Sequence, residues 1–226
     1  YILYRKTQMT YLNIVKSVLR RLRENTNVSN VSGGNNAYVA LIGEFVNDAK
    51  AEVEQAWSWS GLRTTLSGTT TADVFNYELN SSGQNFTLLD AVNDTSNWFL
   101  QYKTQSEMTN LFLNNNTKTG APTHFTYNGI SSDGDTMVDL YPIPNGAYNF
   151  HFNIVLRTAR FDDDADELFI PEEPVILLAY AKAVEERGED SGMTATSAYA
   201  TAQRALNNAI ALDAAKHPEE TIWHTV

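Results

Sequence analysis

The densest set of ligand oxygens in this chain is Asp162, Asp163, Asp164, Asp166 and Glu167, in the run FDDDADE. Calcium takes six to eight oxygens, and such a run can supply several. It lacks the glycine at loop position six and the bidentate glutamate at twelve that an EF-hand needs. It therefore reads first as a solvated linker, with a metal site and a subunit contact as the other readings. Four histidines, His124, His151, His217 and His224, show no HExxH pairing. His124 and His151 fall in strand segments and could meet in space, which would suit a hydrolase working with the acidic run. A solvent-facing or satisfied histidine is the plainer reading of each. The chain has no GxSxG elbow, no phosphate-binding GxxxxGKS or GxxxxGKT loop and no GxGxxG. Carboxylate spacing singles out no glycosidase pair. Trp98 and Tyr102 are the residues best placed to stack on a sugar in a binding module, and Trp57 with Trp59 form a second aromatic pair. At the end of a helix, such a pair more often seals a helix–sheet junction.

Composition narrows the classes further. The 226 residues make one large domain or two small ones, and they contain no cysteine. Disulfides, thiolate metal sites and thiol nucleophiles are thereby excluded. The formal net charge of -11 argues against a protein that grips nucleic-acid phosphates. It does not exclude a protein past which DNA slides, because like charge prevents sticking. No apolar run approaches the roughly 18 residues of a membrane helix. The opening YILYRKTQM lacks the apolar region and cleavage site of a signal peptide. Met9 is a candidate start, with residues 1–8 an extension.

The elements that would position these residues follow from periodicity. Thr10 is a plausible N-cap for a first helix over Tyr11–Glu24, with Leu12, Val15, Val18, Leu19 and Leu22 on its apolar side. The opposite side carries Lys16, Arg20, Arg21 and Arg23, a solvated face or a basic strip meeting an acidic neighbour. A polar loop over 25–36 leads to a second helix over Ala37–Trp59, whose stripe is Tyr38, Leu41, Ile42, Phe45, Ala49, Val53, Ala56 and Trp57.

From Leu62 the pattern shifts to short alternating runs. Strands are expected at Arg63–Ser67, Phe75–Leu79, Thr87–Val92, Phe99–Lys103, His124–Asn128, Met137–Tyr141 and Tyr148–Arg157, with a helical excursion at Ser106–Leu113. Asn-Gly and Asp-Gly pairs supply the hairpin turns. A third helix follows Pro171, apolar nearly all round over Val175–Ala181 and ending at Gly188 as a left-handed cap. A fourth, over Ala195–Ala215, shows Ala195, Ala198, Tyr199, Ala202, Ala205, Leu206 and Ala209 on one side.

The chain is thus α+β. Two N-terminal and two C-terminal helices form a four-helix bundle layer over 9–60 and 170–216. An antiparallel β domain, a sandwich or small barrel, is inserted with its acidic linker over 61–169. Residues 217–226 form a tail with an apolar tip at Ile222 and Trp223.

The segments MTYLNIVKSVLRRLRE, LIGEFVNDAKAEVEQAWSWSGLRTT, VDLYPIP and EPVILLAYAKAVEERGEDSG, in this order, resemble head-to-tail adaptors of tailed phages. The nearest kin are the podovirus-type tail tubular protein A and gatekeeper-like connectors. The resemblance spans Met9–Val226 and implies a structural virion protein without enzymatic activity or cofactor. It implies a ring of about twelve copies under the portal vertex, joined to a nozzle or other tail protein, with DNA passing through the lumen without sequence-specific binding. It places the protein at the head–tail junction of a virion assembled in the host cytoplasm, with no part in a membrane.

Within that expectation, Lys16, Arg20, Arg21 and Arg23 of one copy would face Glu185, Glu186, Glu189 and Asp190 of the next. The terminal residues His217, Pro218, Ile222 and Trp223 sit where related connectors carry a portal-docking tail. The alternative function is a carbohydrate- or receptor-binding module of a phage tail.

Overall fold

The computed structural model describes residues 8–31, 36–113, 117–188 and 193–217. The chain divides into two compact units, Tyr1–Gly61 with Arg160–Val226, and Leu62–Ala159. Among the described residues it is α+β, with five helices and two sheets.

The first unit holds α1 (Tyr11–Arg21), α2 (Ala37–Ala56), α4 (Glu172–Arg187) and α5 (Met193–Ala214), while α3 (Gln105–Leu113) belongs to the other unit. α4 is the hub, packed against α1, α2 and α5. Its buried residues Val175, Ile176, Leu177, Ala179, Ala181 and Val184 point in several directions, as a helix enclosed by neighbours requires. It ends where Gly188 turns left-handed (φ 62). α5 lies on α4 through small residues. Ala195 and Ala202 are buried, and Ala198, Tyr199, Ala205, Leu206 and Ala209 are half-buried along the expected side.

Two helices depart from the periodicity reading. α1 stops at Arg21, three residues short of the expected end. Arg23 adopts φ 59, its N–H reaches Arg20 O at 3.2 Å, and Glu24 N–H reaches Leu19 O at 3.0 Å, a Schellman closure. Tyr11 and Ile14 join Val15, Val18 and Leu19 in the core, while Leu12 is only half-buried. α2 ends at Ala56 rather than Trp59, and its buried side is rotated from the apolar stripe. Val39, Ile42, Val46, Ala49 and Val53 are buried, together with Asn47, Lys50 and Glu54, while Ala56 is exposed and Tyr38, Leu41 and Phe45 are half-buried. Each buried polar residue has a partner. Asn47 exchanges hydrogen bonds with the Phe161 backbone at 2.8 and 3.2 Å, and Lys50 pairs with Glu54.

The second unit packs two four-stranded sheets on one core. Strands β1 (Arg63–Thr69), β8 (Asn149–Leu156), β3 (Phe86–Asn93) and β4 (Trp98–Phe99) form one sheet in that order. Strands β2 (Asn76–Leu79), β7 (Thr136–Tyr141), β6 (His124–Ile130) and β5 (Gln101–Tyr102) form the other. Phe125 from one sheet and Phe152 from the other meet with ring centroids 5.2 Å apart, among Leu79, Val138, Leu140 and Ile154. All pairs are antiparallel except β5 on β6.

The expected strand Phe99–Lys103 is two strands on different sheets. Its alternation breaks at buried Leu100, where the chain crosses from one sheet to the other. α3 packs against β6 and buries Met108.

Candidate functional site

The acidic run is exposed at Asp162, Asp163 and Glu167, as expected of a solvated linker, and it also caps α1. Tyr11 N–H donates to Asp166 O at 2.8 Å, and Leu12 N–H donates to Asp164 O at 3.2 Å. The run thus satisfies backbone donors that a helix start leaves without intrahelical partners. Thr10 occupies the N-cap position of α1 but makes no side-chain capping bond, so the loop does that work instead. The carboxylates are also engaged. Asp166 Oδ2 accepts from the Asp162 and Asp163 N–H groups at 2.8 and 3.0 Å, and Asp164 Oδ1 accepts from Val31 N–H at 2.8 Å. Negative charge at this end also favours the α1 dipole. Among the described residues, no group of three or more His, Asp or Glu is arranged to hold a metal ion.

The two strand histidines lie on different sheets. His151, on β8, meets Ser67 Oγ at 2.9 Å through Nδ1, with Nε2 3.7 Å from Asp94 Oδ2. His124, on β6, meets Thr123 Oγ1 at 2.8 Å. Burial, with Lys103 nearby, lowers its pKa below the ordinary histidine value.

The aromatic residues weighed for stacking have other partners. Trp98 donates its indole N–H to Pro122 O at 2.8 Å. Tyr102, 56 % exposed, lays its ring 5.7 Å from Phe125 and 6.1 Å from Tyr127. Trp59 is 1 % exposed and donates to Val53 O at 2.7 Å, closing the end of the preceding helix, α2.

A cluster that periodicity could not show lies at the end of α5. Asp213, on the same side as Ala202, Leu206 and Ala209, accepts from Ser60 N–H at 2.9 Å, Ser60 Oγ at 2.5 Å and Lys216 Nζ at 2.9 Å. Burial alone would raise its pKa. The hydrogen bonds from Ser60 and Lys216 outweigh that and lower it to about 2. Lys216 Nζ also donates to Ser60 Oγ at 3.3 Å, so the three side chains form a closed clasp.

On α1, Arg20 and Arg21 are exposed and Lys16 is half-buried, and Arg23 just beyond the helix is exposed. At the far end of α4, Glu185 and Glu186 are exposed, and Glu185 accepts from the Tyr199 hydroxyl at 2.5 Å. Arg187 donates to Tyr38 Oη at 2.9 Å and to Glu24 Oε1 at 2.5 Å, tying the ends of α1 and α4 within one subunit. His217 is half-buried after α5. Glu189, Asp190, Pro218, Ile222 and Trp223 lie outside the described residues.

Between α4 and α5 runs a cleft of about 760 Å³, floored by Leu177, Ala205 and Ala209 and rimmed by Glu172, Glu173 and Arg204. Leu212 beside it is 74 % exposed. Among the described residues, no helix is long and apolar enough to cross a membrane.

The arrangement offers charged and apolar surfaces suited to protein contacts. No curated protein matches the chain. The family model described as SU10 adaptor protein matches residues 9–221, nearly the whole sequence. The chain therefore belongs to the SU10 adaptor protein family, and its role is that of a structural head–tail adaptor of a phage virion.

Proposed function

We propose that this adaptor closes into a homo-oligomeric ring of about twelve copies that joins the portal to a tail nozzle or other tail protein. DNA passes through its lumen during ejection, as in podovirus-type tail tubular proteins. The four helices of the first unit form the bundle layer that makes the ring body, and assembly takes place in the host cytoplasm. The family match over residues 9–221 carries the reading. The net charge of -11 is compatible with a channel to which DNA does not stick.

Between copies, Lys16, Arg20, Arg21 and Arg23 face Glu185, Glu186, Glu189 and Asp190 of the neighbour. The backbone at Arg23 supports this assignment. A left-handed residue at this helix-end position is most often glycine, because a side chain there costs about 1–2 kcal/mol. Backbone strain of this kind clusters at functional sites. The tail carrying His217, Pro218, Ile222 and Trp223 docks on the portal.

Light scattering of the protein alone, and mixed with the portal protein of the same particle, tests the reading. A ring in either sample supports it. A monomer in both overturns it.

A further inference from the structure

The chain contains two Asn-Gly pairs, Asn128–Gly129 and Asn145–Gly146. In such a pair the glycine nitrogen carries no neighbouring side chain that would shield it, so it can close on the asparagine side-chain carbonyl. The fold treats the two pairs differently. Asn128–Gly129 lies inside β6, with ladder pairs on both sides of it, Tyr127 with Val138 and Ile130 with Thr136. Closure there has to break into a paired strand. Asn145–Gly146 lies in the loop between β7 and β8, and Asn145 is exposed.

That loop is held from both sides of the pair. Asp73 N–H donates to Pro144 O at 2.9 Å, and Thr70 Oγ1 donates to Gly146 O at 2.8 Å. Tyr148 N–H in turn donates to Thr70 Oγ1 at 2.9 Å. Between these anchors, among the described residues, no acceptor takes the Gly146 N–H. The Tyr148 hydroxyl donates to Asn145 Oδ1 at 2.6 Å. A donor on that oxygen draws electron density from Cγ and stabilises the negative charge that forms on Oδ1 when a nucleophile adds. The loop thus joins a free nitrogen to a polarised carbonyl on the preceding residue.

We propose that Asn145 is a site of spontaneous, self-catalysed deamidation, with the Tyr148 hydroxyl as the group that activates it. The Gly146 nitrogen adds to Asn145 Cγ and gives its proton to solvent base, while Oδ1 takes up the negative charge under the Tyr148 hydroxyl. The carbonyl re-forms and the Cγ–Nδ2 bond breaks. The leaving nitrogen takes a proton from water and departs as ammonia. A succinimide remains between the two residues. Water opens it at either carbonyl, leaving aspartate or isoaspartate at position 145. Both products add a negative charge to the loop. The isoaspartate also routes the main chain through the former side chain, which draws Gly146 O away from Thr70. The reading concerns this loop alone and does not depend on ring assembly.

The test incubates the intact protein in mildly alkaline buffer and follows it by peptide mapping. Mass spectrometry reads the exchange of amide nitrogen for oxygen, and electron-transfer fragmentation separates aspartate from isoaspartate. Position 145 converts about fivefold or more faster than position 128 in the same sample. A Cβ on Gly146 would meet nothing within 4 Å, so Gly146→Ala keeps the loop while its methyl shields the nitrogen, and it lowers conversion at position 145 to the rate of position 128 or below. Tyr148→Phe keeps the melting temperature and slows conversion about threefold or more. A purely structural hydrogen bond would give the opposite sign, because freeing the side chain would speed closure. No conversion at position 145, or conversion at position 128 that equals or exceeds it, overturns the proposal. So does a Tyr148→Phe protein that converts at the original rate or faster.

Discussion

Lys50 Nζ lies 3.2 Å from Glu54 Oε1, one helical turn apart on α2, with side chains only 4 % and 3 % exposed. The ammonium also sits 4.9 Å from the centroid of the Phe161 ring. Burial lowers the Lys50 pKa and Glu54 opposes that effect. Removing one partner of a buried pair leaves an uncompensated charge. Lys50→Met is expected to cost about 3–5 kcal/mol, while Lys50→Met with Glu54→Leu recovers most of the loss. Urea unfolding of the single and double variants measures both.

At Arg23, stability and assembly should move in opposite directions. Arg23→Gly relieves the left-handed strain and raises stability by about 1 kcal/mol. It also removes a charge from the proposed contact and weakens ring formation. Charge reversal at Arg20, Arg21 and Arg23 together abolishes the ring and leaves a folded monomer. Thermal melts and light scattering on the same samples read the two effects, and unchanged assembly would remove the basic strip from the interface.

The Asp213 clasp sets an acid limit. Its folded pKa of about 2 lies below the ordinary 3.8, so its contribution to stability is complete above 3.8 and lost as pH falls through 2. The wild-type protein should lose stability over that window, and Asp213→Asn should show a flatter profile across it. Asp213→Ala removes the acceptor of the Ser60 N–H and hydroxyl and costs about 2 kcal/mol at neutral pH. Denaturant titrations at several pH values separate the two substitutions.

At Gly43, α2 packs directly against Tyr11 of α1. A Cβ there would overlap the Tyr11 hydroxyl and sit 2.8 Å from Val31 Cγ1. Tyr11 cannot swing aside freely, because it is buried and its ring lies 5.1 Å from that of Phe161. Gly43→Ala is expected to cost about 1–3 kcal/mol despite the better helix propensity of alanine. Circular dichroism melts give the value.

Sequence periodicity was a good guide where burial follows apolarity. The alternating runs of β1, β3, β6, β7 and β8, the buried helix α4 and its glycine cap all lie where the pattern puts them. It misled where polar side chains are buried with partners. Asn47, Lys50 and Glu54 turn the core side of α2 away from the stripe through Leu41 and Phe45, because pairing offsets the cost of burial. Leu100 could not be recognised as a crossing point, since a buried leucine fits one strand as well as a corner between two. The basic side of α1 was visible from spacing alone. The left-handed turn at Arg23 was not, because arginine carries no preference for it.

The first and last strands of the β unit lie side by side, with Arg63 opposite Val155 and Thr69 opposite Asn149. The unit therefore begins and ends at one end of one sheet, next to the covalent joints at Gly61–Leu62 and Ala159–Arg160. A module with adjacent ends can be exchanged for another of different size without rerouting the chain that carries it.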